Sequence, residues 1–483
     1  MKKAMYQLLE EYDKQNIYPF HMPGHKRNAK VVENYFPVRQ DITEISGFDN
    51  LHHPQGILRE AQDRLAELYG AKQSYYSVNG STAALLSAVS AAVPRGEKIL
   101  IARNCHKAVY HAIYLRQLQP VYVFPETDCA LGINGGIRPQ NVEKLLKKDP
   151  DIKAVLITSP TYDGVVSDVA GIAEAAHRYQ IPLIVDEAHG AHFRFSDRFP
   201  ASAVGLGADL VIQSLHKTLP SMTQTAVLHR CTGRVEKERL QQFMGIYQSS
   251  SPSYVLMASV DACVETLKRD GTEMFRRFTD DLLRLRERLS ENKRIRLITP
   301  EKSSEKGIYD YDRSKVLLSA EGGSLNGHRL HRMLREVYGL ELEMETEQYV
   351  LALTSVGDTR DGFDRLARAV EEIDRKLQQE ENPSERPAEQ TGSGSVEVPC
   401  QKLIPAQAMD AQVQRVSLEE SVGRISAEFV YLYPPGIPLL VPGEVMTGQI
   451  LKNMRRYIEQ GLDLQGPSDL TNNSLLVVRR EAE

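Results

Sequence analysis

The sequence predicts an α/β chain whose large domain is built on a mainly parallel sheet with helices on both sides. Two observations predict it. Between about 70 and 230 the chain carries short apolar runs that read as buried strands: KILIAR (98–103), PVYVFP (120–125), AVLITSP (154–160), PLIVDEA (182–188), LVIQSL (210–215) and TAVLHR (225–230). Helical stretches separate most of them. On one, Leu85, Leu86, Val89, Ala92 and Val93 share a face at 3.6-residue spacing. Strands alternating with helices form βαβ units, and the ligand site of such a sheet lies at the carboxyl ends of its strands. Residues that follow strands are therefore the place to look for chemistry.

Beyond this region the pattern changes. Residues 1–271 read as an N-terminal arm plus the large domain, and 272–377 as a small α+β domain. The latter opens on a long amphipathic helix marked by Phe275, Phe278, Leu282, Leu285 and Leu289 and holds the strands KVLLSA (315–320) and YVLALT (349–354). Residues 378–398, QQEENPSERPAEQTGSGSVEV, have the composition of a flexible linker. They set off a C-terminal α+β domain, 399–483, whose string YPPGIPLLVPGE (433–444) predicts a rigid loop, since its prolines and glycines preclude a helix.

Composition narrows the function classes. With 59 Lys plus Arg against 64 Asp plus Glu, the net charge of −5 is too small and too mixed in sign to suggest a nucleic-acid partner. No run of apolar residues is long enough to span a bilayer, so no membrane partner is expected. The MKK start is followed by acids before any apolar core, unlike a signal peptide. Five scattered cysteines with no C-x-x-C pair point away from disulfides and zinc and toward the reducing cytoplasm.

Three short constellations stand out. Val78-Asn79-Gly80-Ser81-Thr82 precedes a helix expected to begin near Ala83. Backbone N–H groups, the helix dipole and two hydroxyls make an anion site there, although Ser81 or Thr82 also fits an ordinary N-cap. Asp186-Glu187-Ala188-His189-Gly190 ends the run PLIV. A strand buried on both faces should not end in an acid without a cationic or donor partner. Asp186 as a turn cap, with Glu187 and His189 as solvent-facing loop residues, is the simpler alternative. Gln213-Ser214-Leu215-His216-Lys217-Thr218 follows the run LVI, where a lone lysine is ordinarily a surface residue. A phosphate site, a buried acid and a lysine at three strand ends of one sheet together suit one ligand. It has an anionic end, a basic ring nitrogen and an aldehyde, the features of pyridoxal 5′-phosphate (PLP).

These strings resemble the ornithine/lysine/arginine decarboxylase family, PLP enzymes of fold type I. The likeness runs in register through HMPGHKR (21–27), DITEISGFDNLHHPQGIL (41–58), SVNGSTAAL (77–85), ARNCHKAV (102–109), SPTYDGV (159–165), DEAHGAHF (186–193), SLHKTLPSMTQTA (214–226), SSSPSYVLMASVD (249–261) and YPPGIPLLVPGE (433–444). The chain resembles the shorter form common in Gram-positive bacteria. The resemblance implies that Lys217 is the Schiff-base lysine and that Asp186 pairs with the pyridine nitrogen. Ser81, Thr82 and Ser214 would hold the phosphate and His106 would lie on the ring face. His216 would contact phosphate or carboxylate or donate a proton to the substrate carbon. The hydroxyl run Ser249, Ser250 and Ser251 would reach the phosphate of a neighbouring subunit, which implies a homodimer or a higher homo-oligomer. HMPGHKR, with His21, His25 and Lys26, would form an arm at the dimer and active-site rim; its two histidines lie in no metal-binding register. Asp41, Glu44, Asp49 and Glu444 are candidates for the distal charge of a cationic substrate, and the first three equally suit an ordinary acidic loop.

The resulting expectation is PLP-dependent decarboxylation of a basic L-amino acid, arginine ahead of lysine and ornithine, giving agmatine or a diamine. An aminotransferase or lyase on the same fold is the alternative, because fold does not fix reaction. The small-domain strings EGGSLNGHRLHRM and TSVGDT single out no arginine for a second carboxylate. A non-catalytic regulatory relative would have no need of Lys217, Asp186, Ser81 and His106 together.

Overall fold

The computed structural model describes residues 18–20, 24, 26, 42–45, 48–128, 133–320, 325–379, 399–432, 437–459 and 464–479. His21, His25 and Asp41, and nearly all of the 378–398 stretch, lie outside them.

The large domain is built on a seven-stranded sheet. Its strands are β1 (Gln73–Ser77), β2 (Lys98–Ala102), β3 (Gln119–Val123), β4 (Ile152–Thr158), β5 (Leu183–Asp186), β6 (Leu210–Gln213) and β7 (Ala226–Arg230). They lie side by side in the order β1-β7-β6-β5-β4-β2-β3, and β7 alone runs antiparallel to its neighbours. The expected mainly parallel sheet is present, with one strand more than the apolar runs indicated. β1, QSYYS, escapes a hydropathy reading because tyrosine and serine fill positions that its neighbours give to Ile, Leu and Val.

The central strands are apolar on both faces because both are covered. Ile99, Ile101, Leu156, Ile184 and Ile212 face one side with residues of the helices α1 (Gly80–Ala92) and α2 (Lys107–Arg116). Leu100, Val155, Ile157, Val185 and Val211 face the other, against Ile172, Ala173 and Ala176 of α3 (Val169–Arg178). Successive residues point to opposite faces, so each strand feeds two cores.

A 37-residue helix, α4 (Tyr254–Ser290), carries the chain into the small domain. The expected helix at 275–289 is its second half, and the 271/272 boundary falls inside it. Gly271 does not interrupt it, because Met257, Val260, Val264 and Leu267 continue the buried stripe of Phe275, Phe278 and Leu282. The small domain adds a four-stranded sheet containing Ile295–Ile298, Lys315–Ala320, Met344–Glu345 and Val350–Leu353, closed by the helix Arg360–Gln379.

The C-terminal domain has its own core around Leu418, Val430, Leu440, Met454, Leu475 and Val477. Part of the string expected to be a loop is a strand here, Ile437–Leu440, paired with Val430–Leu432. It lies at the edge of its sheet. There a proline such as Pro438 removes no essential ladder bond. Among the described residues no helix is long and apolar enough to cross a membrane.

Candidate active site

Asp186 is the last residue of β5, with Thr158 of β4 and Ile212 of β6 as register partners. Its side chain is 3% exposed and accepts one hydrogen bond, from Ala188 N at 3.2 Å. Burial raises its pKa, while the charge of Lys217 and the Ala188 bond oppose the rise. One weak backbone bond does not repay the desolvation of a carboxylate, so this acid is short of a cation.

Lys217 stands on the single helical turn Leu215–Thr218 that follows β6. Its Nζ lies 3.0 Å from His189 Nε2. Burial lowers the lysine's pKa, with Asp186 and then Glu343 acting the other way. His189 is pushed well below the ordinary histidine range, first by burial and then by Lys217. A neutral His189 accepts through Nε2 and carries its proton on Nδ1, which is buried without a hydrogen-bond partner.

Both Glu187 and His189, which read equally as solvent-facing loop residues, are buried. Glu187 accepts from Ser202 Oγ (2.7 Å), Ala203 N (2.7 Å) and Gln213 Nε2 (2.6 Å), and burial still raises it to about 7. His189, in contact with Lys217, is a residue that strand-end reasoning left without a role. Beside it stands Tyr162, whose ring lies 4.7 Å from that of His189 and whose hydroxyl donates to Glu343 of the small domain. Its position in SPTYDGV, just past β4, was the available signal.

The helix expected near Ala83 begins three residues earlier, at Gly80, with Asn79 as its N-cap. Gly80 has φ +74°, a conformation that favours glycine. Ser81 and Thr82 therefore lie inside the first turn and are not caps. Ser81 is half-buried and Thr82 exposed. Ser214 Oγ and Thr218 Oγ1 are buried with no hydrogen-bond partner. Ser249, Ser250 and Ser251 are exposed, and Ser249 N donates to Asn79 Oδ1 at 3.2 Å, which sets the serine run beside this helix start.

His106 caps α2, its Nδ1 accepting from Ala108 N at 3.2 Å. Burial and then Lys217 bring its pKa down to about 3, so the imidazole is neutral. His216 is held through Nδ1, which donates to Thr225 O at 2.9 Å. From the arm, Gly24 N donates to His216 O at 2.5 Å, and Ser355 Oγ of the small domain donates to Gly24 O. A Cβ on Gly24 would stand 2.7 Å from Leu219 N, so only glycine fits between the lysine turn and the small domain. Lys26 is buried and donates to Leu353 O.

The substrate acids are placed differently from expectation. Glu444 is buried and tied to Arg103 Nη2 at 3.0 Å and to Val441 N at 2.8 Å, so it is not free to meet a substrate. Asp49 organises its own loop, accepting from Asn50, Gln55 and Gly56 N. Glu44 is exposed. Among the described residues no cluster of His, Cys, Asp and Glu could hold a metal ion.

The residues present fit PLP. Orphaned hydroxyls on Ser214 and Thr218, an under-paired buried acid one strand away and a lysine with lowered basicity are what a phosphate, a ring nitrogen and an aldehyde require. Residues 3–316 match the model of the Orn/Lys/Arg decarboxylase major domain, and 396–464 match that of its C-terminal domain. The chain belongs to the Orn/Lys/Arg decarboxylase family. An arginine decarboxylase of Bacillus subtilis is 34% identical over 99% of this chain and 98% of its own length. That of Bacillus anthracis is 33% identical over 98% of this chain and 97% of its own. The constitutive lysine decarboxylase structure of E. coli superposes with a TM-score of 0.76 at 23% identity, covering 98% of this chain and 81% of that one. The last likeness establishes the fold, that of a fold type I decarboxylase. By family, the chain is a basic amino-acid decarboxylase.

Proposed function

We propose that this family member decarboxylates L-arginine to agmatine with PLP held at the strand ends of the large domain. The observation that carries it is the pairing of Lys217, 3.0 Å from a neutral His189, with Asp186, buried on the neighbouring strand with a single backbone donor. When bound, PLP supplies the electron sink that accepts the pair left on Cα as CO2 departs.

The protein groups make that sink usable. Burial leaves a larger neutral fraction of Lys217 amine at ordinary pH, the form that would hold the cofactor through its aldehyde. His189, neutral, accepts a hydrogen bond from the amine through Nε2 and so holds it in place. Asp186 would keep a proton on the ring nitrogen, which would also resolve its own unpaired burial. Ser81, Thr82 and Ser214, with the N–H groups at the start of α1, bind the phosphate. His106 would lie against the ring, and His216, adjacent to Lys217, would return a proton to Cα. The exposed serines around Ser250 serve a second subunit in a homodimer, and cysteine usage suits the cytoplasm. Glu44 and Asp41 keep the distal-charge role; Glu444 does not.

The near-full-length identity to two arginine decarboxylases supports arginine over lysine. A guanidinium can make two parallel hydrogen bonds to a carboxylate, whereas an ammonium meets it as a point charge. The test is CO2 release from arginine, lysine, ornithine, leucine and glutamate at equal concentration. Arginine should be fastest. Leucine and glutamate should fail, since neither brings a distal cation to meet the acids of the site. Faster release from lysine would overturn the choice of arginine, and comparable release from leucine would overturn the basic-substrate reading.

A further inference from the structure

We propose that Glu444 of the C-terminal domain is a positioning residue for His106, acting through Arg103. The proposal rests on the reading that His106 lies against the cofactor ring.

Arg103 is the first residue beyond β2, and His106 follows it by one turn and caps α2. The Arg103 guanidinium is buried between two domains. Nη1 donates to Tyr110 Oη (3.0 Å) and to Pro438 O of the C-terminal domain (2.8 Å), and Nη2 donates to Glu444 Oε2 (3.0 Å). Tyr110 Oη in turn donates to the carbonyl of Arg103 at 2.8 Å. Tyr110 lies in α2, the helix that His106 caps. The turn 103–106 is thus closed at one end by the Arg103–Tyr110 ring of bonds and at the other by the helix.

Glu444 is itself fixed, since Val441 N donates to Oε2 at 2.8 Å. Arg103 is 7% exposed and Glu444 1%, so neither charge can relax into water. Neutralising the acid strands a buried guanidinium, which must shift to find solvent or another acceptor. Its bonds to Tyr110 and Pro438 move with it, and so does the turn that carries His106. The C-terminal domain, which supplies none of the other residues named above around Lys217, thereby reaches the site through one ion pair.

The test is a double-substitution cycle on holoenzyme: wild type, Glu444→Gln, His106→Ala and the pair, followed by visible circular dichroism of bound PLP and by kcat and KM for arginine. Glu444→Gln should lower the dichroic band and cut kcat about tenfold, with KM nearly unchanged. In the His106→Ala background the same change should add less than about twofold. Effects that multiply would overturn the proposal. If Glu444→Gln does not fold, Glu444→Asp, which keeps the charge but shortens its reach to Arg103, takes its place in the cycle under the same criteria. In cofactor-free protein, carbethoxylation of His106, mapped by mass spectrometry, should be faster in the variant than in wild type; an equal rate would contradict the link. Failure of the cofactor reading shows separately, as wild-type protein that takes up no PLP, and the footprint then decides the link alone.

Discussion

Asp186 and Glu444 are carboxylates buried almost equally, at 3% and 1% exposure, yet they live in opposite circumstances. Glu444 has a guanidinium at 3.0 Å and a backbone donor at 2.8 Å; Asp186 has one backbone donor at 3.2 Å. A buried acid with its counter-charge in place holds structure together. A buried acid without one is poised for a ligand, and the protein bears its desolvation so that a cation can be met there. The same contrast separates Arg103, ion-paired with Glu444, from Lys217, whose near neighbour is a neutral histidine.

The largest effect that can break this contrast is on turnover. Asp186→Asn should cut kcat by at least about 100-fold, since an electrostatic partner of this kind is worth about 3 kcal/mol or more. Lys217 should remain the residue labelled when PLP-loaded protein is reduced with borohydride and its peptides are mapped. Near-normal turnover would remove Asp186 from the ring nitrogen, and a label on another lysine would move the site.

The next effect is on stability. Glu444→Gln should cost roughly 3–5 kcal/mol in denaturant unfolding, because it leaves Arg103 buried and uncompensated. A loss under about 1 kcal/mol would mean that the pair is as dispensable as a surface bridge.

The smallest effect sharpens the comparison with a third acid. Burial raises Glu187 to about 7, above the ordinary glutamate value of 4.5. The folded state therefore binds the extra proton between these values, and stability present below pH 4.5 declines as pH rises through 7. Integrated, the change is about 3 kcal/mol as an order of magnitude. Glu187→Gln should flatten this part of the wild-type profile; an unchanged slope would assign it to another group.

How much was legible follows from the same residues. Asp186 and Lys217 directly follow apolar runs, so local sequence places each at a strand end, and the parallel sheet brings the ends together. The helix that carries Ser81 starts earlier than the apolar stripe suggests, because Gly80 and the polar first turn carry no periodicity. Glu444 was misread because its partner is 341 positions away, and no local pattern announces so distant a pair. His189 and Glu187 were underestimated because the polar residues after a strand look like a loop until distant segments close over them, Ser202 and Ala203 over Glu187 and Tyr162 and Lys217 over His189. The strand at 437–440 was hidden by prolines that only an edge tolerates.

The most direct test of the contrast is the thermal midpoint of cofactor-free protein carrying Asp186→Asn or Glu444→Gln, measured beside wild type at neutral pH. Removing an under-paired buried charge should leave the Asp186→Asn midpoint equal to or above wild type, while removing a paired one should lower that of Glu444→Gln by several degrees, about 2–4 °C per kcal/mol lost for a large domain. A fall of the same size in both variants would contradict the claim that Asp186 is held unpaired for a ligand.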